Sequence, residues 1–155
     1  MALKVNQKAP SFKLPDQDGK VHSLADYQGQ WLLLYFYPRD NTPGCTKEAC
    51  QLRDNFADFK KDNAAVLGVS ADSVTSHNKF SDKHKLLFPI LSDSDKKTIK
   101  AYDAWGEKKF MGRSFLGIKR ISFLIDPAGK IAKVYNKVKP ADHALEVLND
   151  IKILK

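Results

Sequence analysis

The sequence predicts an α/β fold built around a sheet whose central strands are buried. Residues 31–37 and 64–70 are apolar on both faces, which is typical of strands that helices cover on either side. The segment between them, residues 40–62, carries apolar side chains at helical spacing: Ala49, Leu52, Phe56 and Phe59. The order strand, helix, strand is the unit from which α/β sheets are built.

The remaining elements are predicted from periodicity and turn residues. Helices are expected over residues 73–85, 95–102 and 141–154, and a short strand over residues 87–91. A small hairpin is expected within residues 11–23, turning at Asp18 and Gly19. A second hairpin is expected from residues 120–126 and 130–135, because Pro127, Ala128 and Gly129 separate them.

Length and hydropathy indicate the class of protein. A chain of 155 residues is expected to form one globular domain, residues 1–155. The longest apolar run, residues 31–37, is far shorter than the roughly 18 residues that a membrane span needs. Residues 1–9 show no signal-peptide pattern, so we expect a cytoplasmic protein with no membrane partner.

The net charge of +8 comes from one segment of the chain. Residues 96–139 hold 12 basic and 3 acidic side chains, interleaved with four aromatic residues: Tyr102, Trp105, Phe110 and Phe115. This composition is compatible with a groove for single-stranded nucleic acid. A solvated face with its aromatic side chains turned inward is the favoured interpretation. Attraction of an acidic partner protein is a third possibility.

The two cysteines, Cys45 and Cys50, are spaced as C-x4-C near the start of the predicted helix. Four zinc ligands are not in view, so a structural zinc site is not expected. Thr42 fits the N-cap, Pro43 the first helical position and Cys45 the third. Free amides and the helix dipole stabilise a thiolate in this first turn.

Helical geometry places the two sulfur atoms on different faces. Cys45 shares the inward face with Ala49 and Leu52, whereas Cys50 lies about 140° away on the flank. Their Cα atoms are expected roughly 8 to 9 Å apart, and a disulfide needs less than about 7 Å. If these cysteines bond to each other, the start of the helix must therefore unwind.

The motif YFYPRDNTPGCTKEAC, at residues 35–50, closely resembles the peroxiredoxin family. The C-x4-C spacing resembles its peroxiredoxin Q branch, also called the bacterioferritin comigratory protein type. The segments APSFKLPDQDGKVHSL and WGEKKFMGRSFLGIKRISFLIDPAGKI extend the resemblance over essentially the whole chain. One departure is Asn6-Gln7, where many members carry a glycine and an acidic residue.

This resemblance implies a thioredoxin-like fold, with a central mixed β-sheet flanked by helices and an N-terminal β-hairpin. It implies a thiol-dependent peroxidase of antioxidant defence that reduces hydrogen peroxide and organic hydroperoxides. Cys45 would be the peroxidatic cysteine, oxidised to a sulfenic acid, and Cys50 the resolving cysteine, forming an intramolecular disulfide. Thr42, Pro38 and Arg120 would support the reaction.

The resemblance also implies the partners. Thioredoxin or a similar dithiol protein would reduce the disulfide, and no metal, haem or flavin cofactor would be required. The chain lacks a second cysteine near its C-terminus, so a monomer is expected. A nucleic-acid-binding module is the less favoured alternative, and the C-x4-C spacing disfavours a disulfide oxidoreductase or holdase without peroxidase chemistry.

Overall fold

The computed structural model describes residues 3–155, except for the side chain of Phe110. The strands, in chain order, are β1 Lys13–Pro15, β2 Val21–Ser23, β3 Trp31–Phe36, β4 Ala64–Ser70, β5 Ile90–Ser92, β6 Trp105–Phe110, β7 Arg113–Ile118, β8 Ile121–Ile125 and β9 Ile131–Tyr135. The helices are α1 Pro43–Asp54, α2 Phe56–Lys61, α3 Val74–His84, α4 Lys97–Ala101 and α5 His143–Leu154.

The centre of the fold is a five-stranded mixed sheet in the order β5-β4-β3-β8-β9. β3 pairs in parallel with β4 and antiparallel with β8, and every residue of β3 is buried. Alternate residues of β3 serve the two faces of the sheet. Leu33 and Tyr35 join a core with residues of α1, α2, α3 and α5, whereas Leu32, Leu34 and Phe36 join a core on the opposite face.

The helix predicted within residues 40–62, starting at Pro43, is two helices in the structure. The break falls at Asn55, whose side-chain amide donates to the Gln51 carbonyl at 2.8 Å. Asparagine favours such a break because its side chain competes for backbone hydrogen bonds. The predicted apolar face nevertheless persists, since Phe59 is buried and Phe56 packs at the edge of the same core.

The other predicted elements are present, with boundaries shifted by up to three residues. Both expected hairpins form, β1 with β2 and β8 with β9. The strand predicted over residues 87–91 begins only at Ile90, directly after Pro89. The helix predicted over residues 95–102 spans Lys97–Ala101. Among residues 3–155, no helix is both long and apolar enough to cross a bilayer.

The basic segment contains an antiparallel hairpin, β6–β7, that sequence patterns did not predict. Its turn uses Met111 and Gly112, which both have positive φ. The expected inward aromatic face is confirmed for Tyr102, which is fully buried, but is wrong for Phe115, which is 47% exposed. Phe115 is exposed because it lies on a two-stranded sheet that extends beyond the main core. The prediction for Phe110 falls outside the described residues.

The register of the central sheet brings two distant parts of the chain together. Phe36, the last residue of β3, pairs with Ile121, the first residue of β8. The chain leaves β3 toward α1, so Arg120, one residue before β8, lies at the same edge of the sheet as the start of that helix. This edge holds the candidate active site.

Candidate active site

Cys45 occupies the third position of α1 and is 2% exposed. Thr42 is the N-cap residue with extended backbone, and Pro43 is the first helical residue, as predicted. Cys45 joins the core with Ala49 and Leu52, so its predicted inward orientation is confirmed. A sulfur atom here lies at the positive end of the helix and out of bulk water.

Arg120 joins the sulfur atom to a buried carboxylate. Its Nη2 donates to Cys45 Sγ at 3.2 Å, and its Nη1 donates to Glu48 Oε1 at 2.7 Å. Gly44 makes room for this arrangement, because a Cβ atom at that position would lie 2.9 Å from Nη2. The planar guanidinium is thus fixed from both sides, as Lys could not be.

Glu48 was not among the residues predicted from the sequence. Its side chain is fully buried, and burial raises the pKa of its carboxyl to about 7, although Arg120 acts in the opposite direction. Within residues 3–155, no hydrogen-bond partner approaches Glu48 Oε2. Glu48 follows Cys45 by three residues, and this helical spacing was the signal that could have placed both on one face.

Tyr35 is a second buried polar residue near the site. Burial raises the pKa of its phenol well above the ordinary value, and the charges of Glu48 and Cys45 add to this effect. Its Oη has no hydrogen-bond partner within residues 3–155. A Cβ atom at Gly68 would lie 2.8 Å from Tyr35 Oη, so that glycine provides the space for the ring. Tyr35 therefore places a neutral, buried hydroxyl near Cys45 and Glu48.

Two of the predicted site residues lie in or beside the loop between β3 and α1. Thr42 holds the N-cap position, but its hydroxyl donates to the Arg39 carbonyl at 2.9 Å and does not cap the helix. The oxygen of this hydroxyl retains lone pairs for a further partner. Pro38 is half-buried in the same loop. The roles predicted for these two side chains remain predictions.

A buried network anchors this loop to the body of the protein. Asp40 accepts from Tyr37 Oη at 2.7 Å and from Ser76 Oγ at 2.8 Å, and its Oδ2 lies 2.7 Å from His77 Nδ1. His77 Nε2 donates to the Leu91 carbonyl at 2.9 Å, so a further proton is shared between Nδ1 and Asp40.

The surroundings of Asp40 favour the ionised form of its carboxyl. Burial raises the pKa of the Asp40 carboxyl, but hydrogen bonds and charge from His77 outweigh it, and the net pKa lies below its ordinary value. Asp40, Asp72 and His77 have potential metal-ligand atoms within 4.8 Å of one another. These atoms are already engaged in hydrogen bonds, Asp72 Oδ2 accepting from the Asp40 amide and Ser70 Oγ. The cluster is therefore complete as a hydrogen-bonded anchor.

Cys50 lies on the flank of α1, half-buried, as predicted from helical geometry. Its Sγ is 3.9 Å from His84 Nδ1 at the end of α3. Both cysteines are free thiols. The structure thus brings Cys45 and Arg120 into direct contact and places Cys50 on a different face of the helix.

Comparisons with known proteins identify the family. The model of the AhpC/TSA family matches residues 5–134. Peroxiredoxin Bcp of Escherichia coli K12 is 49% identical over 150 residues, which cover 97% of this chain and 96% of the relative. Peroxiredoxin Bcp of Bacillus subtilis 168 is 44% identical over 152 residues, which cover 98% and 97%.

Solved structures give the same result for the fold. A cysteine mutant of the peroxiredoxin PrxQ from Xylella fastidiosa superposes with a TM-score of 0.93 at 39% identity, covering 99% of this chain and 98% of that one. The bacterioferritin comigratory protein of Xanthomonas campestris, studied for alkyl peroxide reduction, superposes with a TM-score of 0.90 at 38% identity, covering 97% and 99%. The thioredoxin-like peroxiredoxin fold is thereby confirmed. The chain belongs to the AhpC/TSA family and is a peroxiredoxin of the Bcp, or peroxiredoxin Q, type.

Proposed function

We propose that this peroxiredoxin reduces hydrogen peroxide and organic hydroperoxides through Cys45, with Cys50 as the resolving cysteine. The observation that carries the proposal is the 3.2 Å contact between Arg120 Nη2 and Cys45 Sγ. It joins a cation to a buried sulfur atom at the start of a helix, which is a suitable environment for a reactive thiolate.

In the first step, the Cys45 thiolate attacks one peroxide oxygen in line with the O–O bond. An S–O bond forms, the O–O bond breaks and the sulfur becomes a sulfenic acid. The leaving oxygen departs with the negative charge and is protonated to water or an alcohol. Charge thus moves from sulfur to oxygen during the step.

Ionisation of the thiol explains little of the rate. A free cysteine is already about 3% thiolate at pH 7, so complete ionisation gains at most about 30-fold. Positioned donors must stabilise the moving charge, and removing one such donor typically costs about 10²–10³ in rate. Arg120, the Thr42 hydroxyl and the amides of the first helical turn supply these donors, and Pro38, which has no N–H group, shields them from water.

In the second step, Cys50 attacks the sulfenic acid of Cys45, water leaves and an intramolecular disulfide forms. The two side chains lie on different faces of α1, with Cys45 buried and Cys50 half-buried on the flank. The step therefore includes unwinding of the first turns of α1, where Thr42, Pro43 and Gly44 are weak helix formers.

The proposed cycle is completed by thioredoxin or a similar dithiol protein, which reduces the disulfide. One chain supplies both cysteines, which supports a monomer acting as one domain, residues 1–155. The chain has only two cysteines, and in the proposed cycle their disulfide is transient and catalytic, which supports a reducing compartment, the cytoplasm.

Reaction of the reduced protein with hydrogen peroxide tests the proposal. We expect one intramolecular disulfide for each monomer, detected by mass spectrometry of unreduced peptides. Cys45→Ser abolishes peroxide consumption, whereas Cys50→Ser still forms the sulfenic acid but stalls in thioredoxin-linked turnover. Absence of peroxide consumption by the wild-type protein would contradict the proposal, and normal turnover by Cys50→Ser would contradict the resolving role.

A further inference from the structure

The contact between Cys50 and His84 is the feature that the mechanism above leaves unused. Cys50 projects from α1, His84 is the last residue of α3, and their Sγ and Nδ1 atoms are 3.9 Å apart. This separation is within hydrogen-bonding range for sulfur. A thiol on the flank of one helix therefore faces an imidazole from another.

His84 is held in place by contacts on two sides. Arg53 Nη1 donates to the His84 carbonyl at 2.6 Å and thereby ties the end of α3 to α1. The imidazole ring packs edge-on against Phe80, with the ring centroids 5.1 Å apart. The side chain is only partly buried, so its outer nitrogen can exchange protons with water.

The charges around His84 keep its ring neutral near pH 7. Burial lowers the pKa of His84, and the positive charges of Lys83, on its own helix, and Arg53, on α1, lower it further. Asp54 is paired with Arg53, and Cys50 is the thiol that faces the ring. A neutral imidazole with its proton on Nε2 presents a lone pair at Nδ1 to that thiol.

We propose that His84 is a catalytic residue of the resolving step, and that its Nδ1 accepts the proton of the Cys50 thiol. The proposal rests on the resolving role proposed above for Cys50. The thiolate so formed leaves the flank as α1 unwinds and attacks Cys45 Sγ. The S–S bond forms and the S–O bond of the sulfenic acid breaks. The leaving hydroxide becomes water, and the imidazolium returns its proton to solvent, so that one water is formed and no external oxidant is required.

The size of the effect has an upper limit. A thiol with an ordinary pKa is about 3% ionised at pH 7, so a base that ionises it fully accelerates its attack by at most about 30-fold. The advantage disappears at alkaline pH, where thiols ionise without assistance. This disappearance distinguishes a base from a residue that merely supports the local structure.

The test follows the resolving step directly. Reduced protein is mixed with one equivalent of hydrogen peroxide, the reaction is quenched with acid at successive times, and the disulfide is quantified by mass spectrometry. His84→Asn keeps a hydrogen-bond acceptor near the position of Nδ1 but is not a base in this pH range. We expect disulfide formation to slow at pH 7, by at most about 30-fold, and to match the wild-type rate above pH ~9.5. Lys79→Gln, which removes an exposed charge on the same helix, is the matched control and keeps the wild-type rate at both pH values.

Two results would overturn the role of His84. One is equal rates of disulfide formation in His84→Asn and wild type at pH 7. The other is a deficit of the same size at every pH, which indicates a structural effect. Failure of the underlying mechanism gives a different result, because the wild-type protein itself would then form no Cys45–Cys50 disulfide.

Discussion

Arg120 Nη2 lies 3.2 Å from Cys45 Sγ, although 75 residues separate the two in the chain. The same guanidinium donates from Nη1 to Glu48 Oε1 at 2.7 Å. A lysine at this position has one ammonium group and cannot reproduce both contacts in a fixed plane. The site therefore depends on the planar geometry of the guanidinium as well as on its positive charge.

Arg120→Lys should lower the second-order rate constant for sulfenic acid formation by about 10²–10³. The positive charge is kept, but the paired donation to sulfur and carboxylate is lost. Stopped-flow measurement with hydrogen peroxide under single-turnover conditions determines the rate. Arg113→Lys, at an exposed position of β7, is the control. A rate for Arg120→Lys within threefold of wild type would show that charge alone suffices.

Gly44→Ala should separate activity from stability. The added Cβ would lie 2.9 Å from Arg120 Nη2 and displace the guanidinium from Cys45. Displacement on the scale of an ångström lowers the rate between about 10- and 100-fold. The higher helix propensity of alanine, at most about 1 kcal/mol, offsets part of the stability lost when Arg120 moves away from buried Glu48. Thermal unfolding and peroxide kinetics are measured on the same preparations, with Lys47→Ala, exposed on α1, as the control. An unchanged rate constant would show that moving Arg120 does not affect the reaction of Cys45 with peroxide.

Glu48→Gln should change how stability depends on pH. Burial raises the pKa of Glu48 from 4.5 to about 7, so the folded protein holds this proton more tightly than the unfolded chain does. Stability is therefore lost as the pH rises from the unfolded to the folded value, by about 3 kcal/mol in total. Urea unfolding between pH 4 and 8 should show this loss in the wild type and its absence in Glu48→Gln. Parallel curves for the two proteins would contradict the raised pKa.

Asp40→Asn should destabilise the protein by about 3 kcal/mol, because it leaves His77 without its buried partner. The pKa of Asp40 is lowered, so its contribution is fully present above the ordinary value of 3.8 and is lost as the pH falls below it. The deficit of the variant should therefore shrink in acid. Asp54→Asn, which removes a more exposed ion pair, should change stability by less than about 1 kcal/mol. Equal effects of the two substitutions would be evidence against the anchor.

Disulfide formation should open the first turns of α1. In the reduced protein the Thr46 amide donates to the Thr42 carbonyl at 2.9 Å, and this bond is lost when the helix unwinds. Hydrogen–deuterium exchange should accelerate in residues 43–54 of the oxidised wild type but not in peroxide-treated Cys50→Ser. Protection that persists through α1 in the disulfide form would mean that the cysteines meet without unwinding.

Much of the fold followed from local patterns in the sequence. Patterns that extend over only a few residues predicted the correct elements. They are the apolar runs of β3 and β4, the helical spacing around Cys45 and the turn residues between β8 and β9. The β6–β7 hairpin was missed because β6 is rich in charge and each strand contains a glycine, a residue more typical of loops. The break at Asn55 was missed as well. Its side chain competes for a backbone hydrogen bond, but the apolar residues on both sides keep their helical spacing, so the pattern shows no interruption.

The site was predictable where it depends on α1 and less so where it depends on tertiary contacts. The position of Cys45 at the start of the helix follows from Thr42 and Pro43 alone. Glu48 was missed because a charged side chain on a helix is ordinarily exposed to solvent. Its burial is compensated by the ion pair with Arg120, which is distant in sequence. Asp40 and His77 meet across 37 residues, and no local pattern records that contact.

The antiparallel pairing of β8 with β3 also determines when, during synthesis of the chain, Arg120 can first contact Cys45. During synthesis Cys45 leaves the ribosome 75 residues before Arg120. Contacts so distant in sequence require slow loop closure, so the growing chain carries its thiols without the guanidinium beside them. Until Arg120 has been synthesised and the sheet has closed, a growing chain therefore lacks the guanidinium contact on which the proposed reactivity of Cys45 depends.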